Sequence, residues 1–336
     1  MSDFVPTIDT LGDAALTDSI IDRSITEFLD NLATSIGKYA FYGCSALTSV
    51  SLPAVTSIGS SAFNSCSALT SVNLPAVTSI GGYAFYSCSK LTSISLPAAT
   101  SVGSSAFYSC SKLTSISLPV ATSIDEFAFR DCSALTSVSL PVATSIGKYA
   151  FYGCSALTSV NLPAVTSISS SAFDGCSKLT SISLPAAASI YANAFYGCSA
   201  LTSVNLPAVT SIYANAFYSC SALTSVNLPA VTSISGSAFQ SCSALTSVSL
   251  PAATSIGDYA FYSCSKLEAL ILENAETVCQ LSSNNALRST PIASGTGYIY
   301  VPSALVDAYK AATNWSTYAN QIRAIEDYPE ICGTSE

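Results

Sequence analysis

The sequence predicts an α/β-type solenoid, mostly β, in which short coils stack along one axis. Eleven cysteines recur every 22 residues without a slip, from Cys44 through Cys66 to Cys264. Around each cysteine nearly the same residues return, as in Leu47–Cys66 and Leu69–Cys88. Within each copy, apolar residues alternate with Ser and Thr, as a strand with one buried face requires. A fixed period of this length indicates a repeat architecture, because each repeat adds one unit against the last.

The first part of each coil is predicted to be a short strand. In the copy that begins at Leu47, the side chains of Leu47, Val50 and Leu52 point into the coil, while the Thr and Ser residues between them face solvent. Pro53 then ends the strand, because proline lacks the N–H that a sheet ladder needs. Stacked coils are expected to pair these strands and so cover each other's open faces.

The rest of the coil is predicted to contain a second extended stretch and a turn. Val55 and Ile58 return to the interior along this stretch, and Gly59 marks the corner that follows. The spacing within Ala62–Cys66 predicts one helical or 3₁₀ turn, which lays the ring of Phe63 across the core.

The repeated cysteines are predicted to form a ladder of thiols inside the solenoid. Coils stacked at about 4.8 Å bring equivalent Cα atoms within disulfide range, so geometry alone permits pairing. Each cysteine follows a phenylalanine by three residues, as Cys66 follows Phe63, and this apolar setting favours buried thiols. Metal binding is disfavoured, because the repeats lack the Cys-x-x-Cys spacing of zinc sites.

Both ends of the chain are predicted to cap the array. Residues 1–24 form an acidic segment, for which we expect a short helix over residues 13–23 and attachment to a larger assembly. The solenoid is expected over residues 25–280, beginning with a degenerate coil, and residues 281–336 are expected to form a cap of strand and helix.

The cap has its own predicted elements. The repeat register is lost from Gln280 onward, and Tyr298–Val301 has the pattern of a final strand. Ser303 is positioned to cap a helix that extends to about Ala312. The apolar residues beyond it are expected to cover the last open coil; these are Trp315, Tyr318 and Ile322.

Charge and hydropathy exclude several partners. The net charge of −9 arises at the two ends, since the repeat region between them carries seven basic and five acidic residues. No nucleic-acid partner is expected, because no basic stripe is available to displace counterions from phosphates. No membrane insertion is expected, since no apolar run approaches ~18 residues. The N-terminus lacks a secretory signal pattern, which favours a cytoplasmic or virion-associated location over classical secretion and leaves the cell surface open.

The residues for catalysis are largely missing. The chain has no histidine, which removes the usual activating base of Ser and Cys nucleophiles and the commonest metal ligand. Asp125, Glu126 and Asp131 cluster beside Arg130, and we interpret them as a solvated edge with a local ion pair. We therefore predict that the protein is not an enzyme and has no cofactor.

Variation between the copies indicates a recognition surface. Substitutions concentrate in the three residues before the Ala-Phe pair and in the residue after it. Because coils stack in register, these positions become a continuous band rich in Tyr, Ser, Asn and Gly, and such residues suit adaptable recognition. The residues predicted to bind a ligand are Tyr42, Tyr86, Tyr108, Tyr152, Tyr196, Tyr218, Tyr262, Tyr83, Asn193 and Asn215.

Two other interpretations of the exposed residues stay open. The tyrosines can stack on one another as an external ladder that only stabilises the array. The outward Ser and Asn residues of the strands, such as Ser51 and Asn73, form a polar surface suited to hydrogen bonding with sugars.

With these motifs in view, the chain resembles the BspA-like leucine-rich repeat family of bacterial surface proteins. The resemblance rests on L-x-x-[IV]-x-[IL]-P followed by [VA]-T-x-I-G-x-x-A-F-x-x-C, in ten copies between Leu47 and Lys266. It implies a right-handed leucine-rich repeat solenoid with a cap at each end. Members are described as adhesins and host-interaction proteins, and similar arrays occur in phage-borne proteins.

Two functions of different classes remain. The leading hypothesis is a non-enzymatic module that binds a cell-surface protein or glycan, as a bacterial adhesin or a phage receptor-binding protein does. The alternative is an intracellular structural scaffold without a dedicated ligand.

Overall fold

A computed structural model describes residues 23–331. These residues fall into two compact units, which are separated in sequence between Val165 and Thr166. Each unit is a stack of coils with two parallel strands per coil, so the predicted mostly β solenoid is confirmed. The helix predicted over residues 13–23 lies, apart from Arg23, outside the described residues, as does most of the proposed attachment segment.

The first strand of each coil has three or four residues and pairs in parallel with its equivalent in the next coil. Val50, for example, lies opposite Val72, 22 residues later. Each unit contains one sheet of three and one of four such strands. In the first unit they are Glu27–Leu29, Ser49–Ser51, Ser71–Asn73, Ser93–Ser95, Ser115–Ser117, Ser137–Ser139 and Ser159–Asn161. In the second they are Ser181–Ser183, Ser203–Asn205, Ser225–Asn227, Ser247–Ser249, Ala269–Ile271, Tyr298–Val301 and Ile322–Ala324.

The second strand of each coil is only two residues long, and its second residue is apolar and buried. In the first unit these strands are Ser35–Ile36, Ser57–Ile58, Ser79–Ile80, Ser101–Val102, Ser123–Ile124 and Ser145–Ile146. In the second they are Ser167–Ile168, Ser189–Ile190, Ser211–Ile212, Ser233–Ile234, Ser255–Ile256 and Gln280–Leu281. The predicted second extended stretch is confirmed.

The helical or 3₁₀ turn predicted over Ala62–Cys66 is wrong. Two successive β-turns occupy this place, Gly59–Ala62 and Phe63–Cys66, each closed by a backbone hydrogen bond of 3.3 and 3.1 Å. The third residue of each turn is left-handed, with φ of 56° at Ser61 and 63° at Ser65, as in a type II turn.

Hydrogen bonding between coils explains these turns. The N–H of Phe63 donates to the carbonyl of Ala84 in the next coil at 2.7 Å, and the N–H of Ser65 donates to Tyr86 at 2.8 Å. A helical turn would direct these donors back into their own coil. Buried backbone donors need partners, so the neighbouring coil decides the local conformation.

The core of each unit is a ladder of buried phenylalanine rings. Consecutive ring centroids are 4.8 to 5.3 Å apart from Phe41 to Phe151, and 5.2 to 5.5 Å apart from Phe173 to Phe261. A ladder of cysteines runs beside the rings; Cys66 Sγ, for instance, donates to the carbonyl of Phe41 at 3.1 Å. The described cysteines are buried thiols, as predicted.

Beyond the ladder the coils lengthen but continue to pair. Gln280–Leu281 pairs with Ser255–Ile256, so the prediction that register is lost from Gln280 is wrong at its start. The extra residues of this coil loop out without breaking the pairing. Tyr298–Val301 is a strand as predicted, but it is not the final one, because Ile322–Ala324 pairs with it.

The helices of the cap are short. The predicted helix from Ser303 to about Ala312 is a 3₁₀ turn followed by a helix, and Ser303 caps neither of them. Its N–H and Oγ donate instead to the Glu326 carboxylate at 2.9 to 3.1 Å. The α-helices are Pro291–Ser294 and Val306–Ala311, and the 3₁₀ segments are Asn284–Leu287, Ser303–Leu305, Trp315–Gln321, Ile325–Asp327 and Pro329–Ile331.

Cap side chains cover the last short strand, as predicted for Trp315. The indole Nε1 of Trp315 donates to the carbonyl of Cys279 at 2.6 Å, and Tyr309 Oη accepts from the Cys279 N–H at 2.9 Å. Asn314 Nδ2 donates to the carbonyl of Leu281 at 2.7 Å. These side chains replace the hydrogen bonds that a further coil would have supplied to this edge.

Candidate functional site

The residue after each Ala-Phe pair occupies the second position of the Phe-to-Cys turn, so its side chain points away from the buried phenylalanine. We call this row the tyrosine band. In the first unit it comprises Tyr42, Asn64, Tyr86, Tyr108, Arg130 and Tyr152, and in the second it comprises Asp174, Tyr196, Tyr218, Gln240 and Tyr262. All of these side chains are exposed or half-buried.

In the first unit the band is a continuous column of flat groups. Tyr86 and Tyr108 stack with centroids 4.9 Å apart. The guanidinium carbon of Arg130 lies 5.4 Å from the ring centre of Tyr108 and 4.6 Å from that of Tyr152. Arg130 Nε also lies 3.4 Å from a carboxylate oxygen of Asp131, so the predicted local ion pair is confirmed. The structure therefore joins three predicted residues through an arginine that was not among them.

In the second unit the band has a similar column. Tyr196 and Tyr218 stack with centroids 4.7 Å apart. Gln240 Nε2 donates to Tyr218 Oη at 3.5 Å, and Tyr262 packs edge-on against Tyr259 at 5.4 Å. The signal that points to Arg130 and Gln240 is positional, since both occupy the tyrosine place of the 22-residue repeat.

Two predicted tyrosines lie at the first-unit end of the band. Tyr42 packs edge-on against Tyr39 at 5.7 Å and lies 5.9 Å from the guanidinium of Arg23. Tyr83 is the more exposed residue, at 47%, and tilts against Tyr86 at 5.8 Å. Both rings offer a face or an edge to a ligand.

The predicted asparagines have a conformational reason to be where they are. Asn193 and Asn215 are half-buried and left-handed, with φ of 58° and 57°. Asparagine tolerates this conformation better than most residues, because its short side chain can hydrogen-bond locally. Turn geometry therefore accounts for both residues without a ligand, and their contact with one stays a prediction.

The band contains one carboxylate with a shifted pKa. Partial burial raises the pKa of Asp174 from 3.8 to about 6, although a hydrogen bond with the Ser171 side chain opposes the shift. Buried thiols shift further, and desolvation raises the pKa of Cys110 from 9.0 to about 12. Thiols held protonated in this way are poor nucleophiles and poor metal ligands.

The strand face is polar, but neighbouring coils use part of its hydrogen-bonding capacity. Asn73 Nδ2 donates to Ser51 Oγ at 3.0 Å, and Asn227 Nδ2 donates to Asn205 Oδ1 at 2.9 Å. Threonine hydroxyls beside the strands donate to the preceding coil, as Thr70 does to the carbonyl of Thr48 at 3.1 Å. This face is thus less available to a sugar than its composition indicates.

The comparison with known families agrees with the repeat geometry. The model of the BspA type leucine rich repeat region matches residues 22–121, 100–208 and 188–299. The chain belongs to this family. Family membership confirms the resemblance inferred from the repeat motif, and with it the leucine-rich repeat solenoid.

Several solved structures are similar to this leucine-rich repeat chain. A leucine rich cell surface protein of Faecalibacterium prausnitzii is 28% identical, over 80% of this chain and 84% of that one, with a TM-score of 0.46. A leucine-rich repeat protein of Bacteroides ovatus is 26% identical, over 74% and 87% of the two chains, with a TM-score of 0.35. The pneumococcal vaccine antigen PcpA is 17% identical, over 89% of each chain, with a TM-score of 0.47. None of the curated proteins matches this sequence.

The described part of this leucine-rich repeat protein shows neither a metal cluster nor a membrane helix. Between residues 23 and 331, no three Cys, Asp or Glu side chains gather in a way that would hold a metal ion. Over the same residues, each helix is too short or too polar to cross a bilayer.

Proposed function

We propose that this protein is a non-enzymatic recognition module that binds a cell-surface protein or glycan through the tyrosine band. The observation that carries the proposal is the contact of band side chains from coil to coil, as in Tyr86, Tyr108 and Arg130. Side chains held by such contacts lose little rotamer entropy when a ligand binds. A row of them also offers many weak contacts to one ligand at the same time.

Family membership supports the same direction. The BspA-type leucine-rich repeat suggests a protein-binding or adhesin role, and solenoids of this kind are typically non-catalytic. A bacterial or host cell surface is the location that this proposal requires. Virion attachment is a narrower form of it, and no contact in residues 23–331 favours that form over adhesion.

A second candidate is a structural scaffold without a dedicated ligand, and one observation favours it. Tyr196 and Tyr218 cover each other's faces at 4.7 Å, as an external ladder would. Stacked aromatic pairs of this kind contribute about 0.5–1.5 kcal/mol beyond burial of area. On this account the rings stabilise the array and have no other role.

One experiment separates the two candidates. Fluorescently labelled protein is titrated onto intact bacterial and host cells and onto a glycan array, while the native source is fractionated in parallel. Saturable binding that unlabelled protein displaces supports recognition. A soluble intracellular pool with no saturable surface binding would contradict recognition and support the scaffold.

A further inference from the structure

The tyrosine band has a second period, five coils long. Arg130 and Gln240 are 110 residues apart, and so are Asn64 and Asp174, while the other band positions are tyrosine. The same four-coil order, tyrosine, tyrosine, N–H donor, tyrosine, therefore occurs twice. We call these groups the first comb (Tyr86, Tyr108, Arg130 and Tyr152) and the second comb (Tyr196, Tyr218, Gln240 and Tyr262). Each comb lies within one unit.

Stacking decides which atoms a comb offers. The faces between Tyr86 and Tyr108 are 4.9 Å apart and those between Tyr196 and Tyr218 are 4.7 Å apart, which leaves no room for a third ring. Arg130 has a tyrosine on each face, at 5.4 and 4.6 Å. A ligand therefore meets ring edges, phenol hydroxyls and N–H donors, one group per coil.

Each comb keeps donors for a ligand at its third position. Asp131 lies beside Nε of Arg130 at 3.4 Å, and within residues 23–331 this is the only hydrogen bond of the guanidinium. The two terminal amino groups thus remain as donors. Gln240 Nε2 has one long bond of 3.5 Å to Tyr218 Oη and retains a second N–H.

The spacing of the combs selects among polymers. An extended peptide advances about 3.3 Å per residue and falls out of phase with groups that repeat once per coil. An α-helix has a pitch of about 5.4 Å, but a docked helix needs an apolar groove, and these combs present polar edges. A sugar unit in a linear β-linked glycan advances by roughly the spacing of one coil and carries hydroxyls at every step.

We propose that each comb binds one neutral, linear β-linked glycan along the coils, with one sugar unit per coil. The proposal rests on the recognition function above and narrows its ligand class. Neutrality follows from the third position: Arg130 and Gln240 share N–H donors for sugar oxygens, but only Arg130 carries a charge. The chain is then bivalent, with one site in each unit.

Calorimetry on the full chain tests the proposal. The probes are linear hexasaccharides of β-1,4-linked glucose, N-acetylglucosamine and xylose. We expect at least one of them to bind at two sites per chain. Arg130→Met and Gln240→Met remove the donors while keeping side-chain length, so each is expected to reduce the stoichiometry from two to one. The double variant is expected to lose both sites, and Arg130→Gln to keep two.

Asn64→Met is the matched control, since Asn64 is in the band but outside both combs; it is expected to keep two sites. Circular dichroism and melting of each variant verify folding. Failure of all three hexasaccharides to bind, a single site in the wild type, or two sites in both methionine variants would overturn the inference. Saturable cell binding alongside any of these results leaves the recognition function standing, whereas loss of cell binding as well overturns both.

Discussion

Tyr196 and Tyr218 lie 22 residues apart in sequence and stack face to face, with ring centroids 4.7 Å apart and planes within 4°. Tyr86 and Tyr108 repeat the relationship at 4.9 Å. A residue type that recurs along this chain thus becomes a row of touching side chains. Because the coils interact mainly with their neighbours, each substitution has effects that depend on its row.

Serine at Tyr86, Tyr108, Tyr196 and Tyr218 together is expected to abolish ligand binding and to leave the melting temperature near that of the wild type. The rings are at most partly buried, and each stacked pair contributes only about 0.5–1.5 kcal/mol beyond area burial. Cell-binding isotherms and differential scanning calorimetry measure the two effects.

Tyr191 and Tyr213 provide a matched control, because they stack at 5.0 Å outside the band. Serine at both removes a comparable contact, so binding should persist. If the quadruple variant fails to fold, the interpretation of the tyrosines as a stabilising ladder is favoured instead.

Phe129→Ala is expected to destabilise the array by about 3–5 kcal/mol, since it opens a cavity in a packed core. Phe129 is fully buried between Phe107 and Phe151, at 5.3 and 5.2 Å. Urea unfolding monitored by circular dichroism gives the free energy. Phe127→Ala is the comparison, because this half-buried ring stacks only on Tyr149 at 5.0 Å and should cost less than about 1.5 kcal/mol. Equal losses in the two variants would argue against the buried ladder as the main source of stability.

The thiol ladder is expected to resist Ellman's reagent at pH 8 until the chain unfolds. Burial raises the pKa of Cys110 from 9.0 to about 12, so the folded chain retains a proton that the unfolded chain releases between these values. The resulting stability is complete below pH 9 and is lost as the pH rises through that window. Urea midpoints from pH 7 to 11 should fall, and Cys110→Ala should reduce the slope. Rapid reaction of the native ladder would show that these thiols are accessible.

Asn215→Gly is expected to change the free energy of unfolding by less than about 0.5 kcal/mol, since glycine also adopts φ of 57° freely. Asn215→Val should cost about 1–2 kcal/mol or more, because branched side chains are strained there. Thermal melts measure both. If the valine variant is as stable as the glycine variant, the left-handed turn is not maintained in solution. A fall in ligand affinity for the well-folded glycine variant would support the predicted contact.

The outcomes for particular residues separate what is readable from sequence. Leu52 and Ile58 are buried as their pattern predicts, and the cysteine row lies inside. These features follow from the alternation and the period, which are present in every copy. The turn over Ala62–Cys66 was not predictable in the same way, because apolar spacing alone does not distinguish a helical turn from two β-turns. The partner role of Arg130 was equally hidden, since its contacts are with Tyr108 and Tyr152 on other coils.

The amino-acid sequence by itself determined the length of a coil, the side chains that enter the core and the rows that successive coils form. These properties depend on which positions are apolar and on a constant period. Only the tertiary structure decided the left-handed turns, the extra strand of the cap and the ring faces that remain covered. The physical reason is that each of these depends on hydrogen-bond and stacking partners in a neighbouring coil, such as the carbonyl of Ala84 that accepts from Phe63.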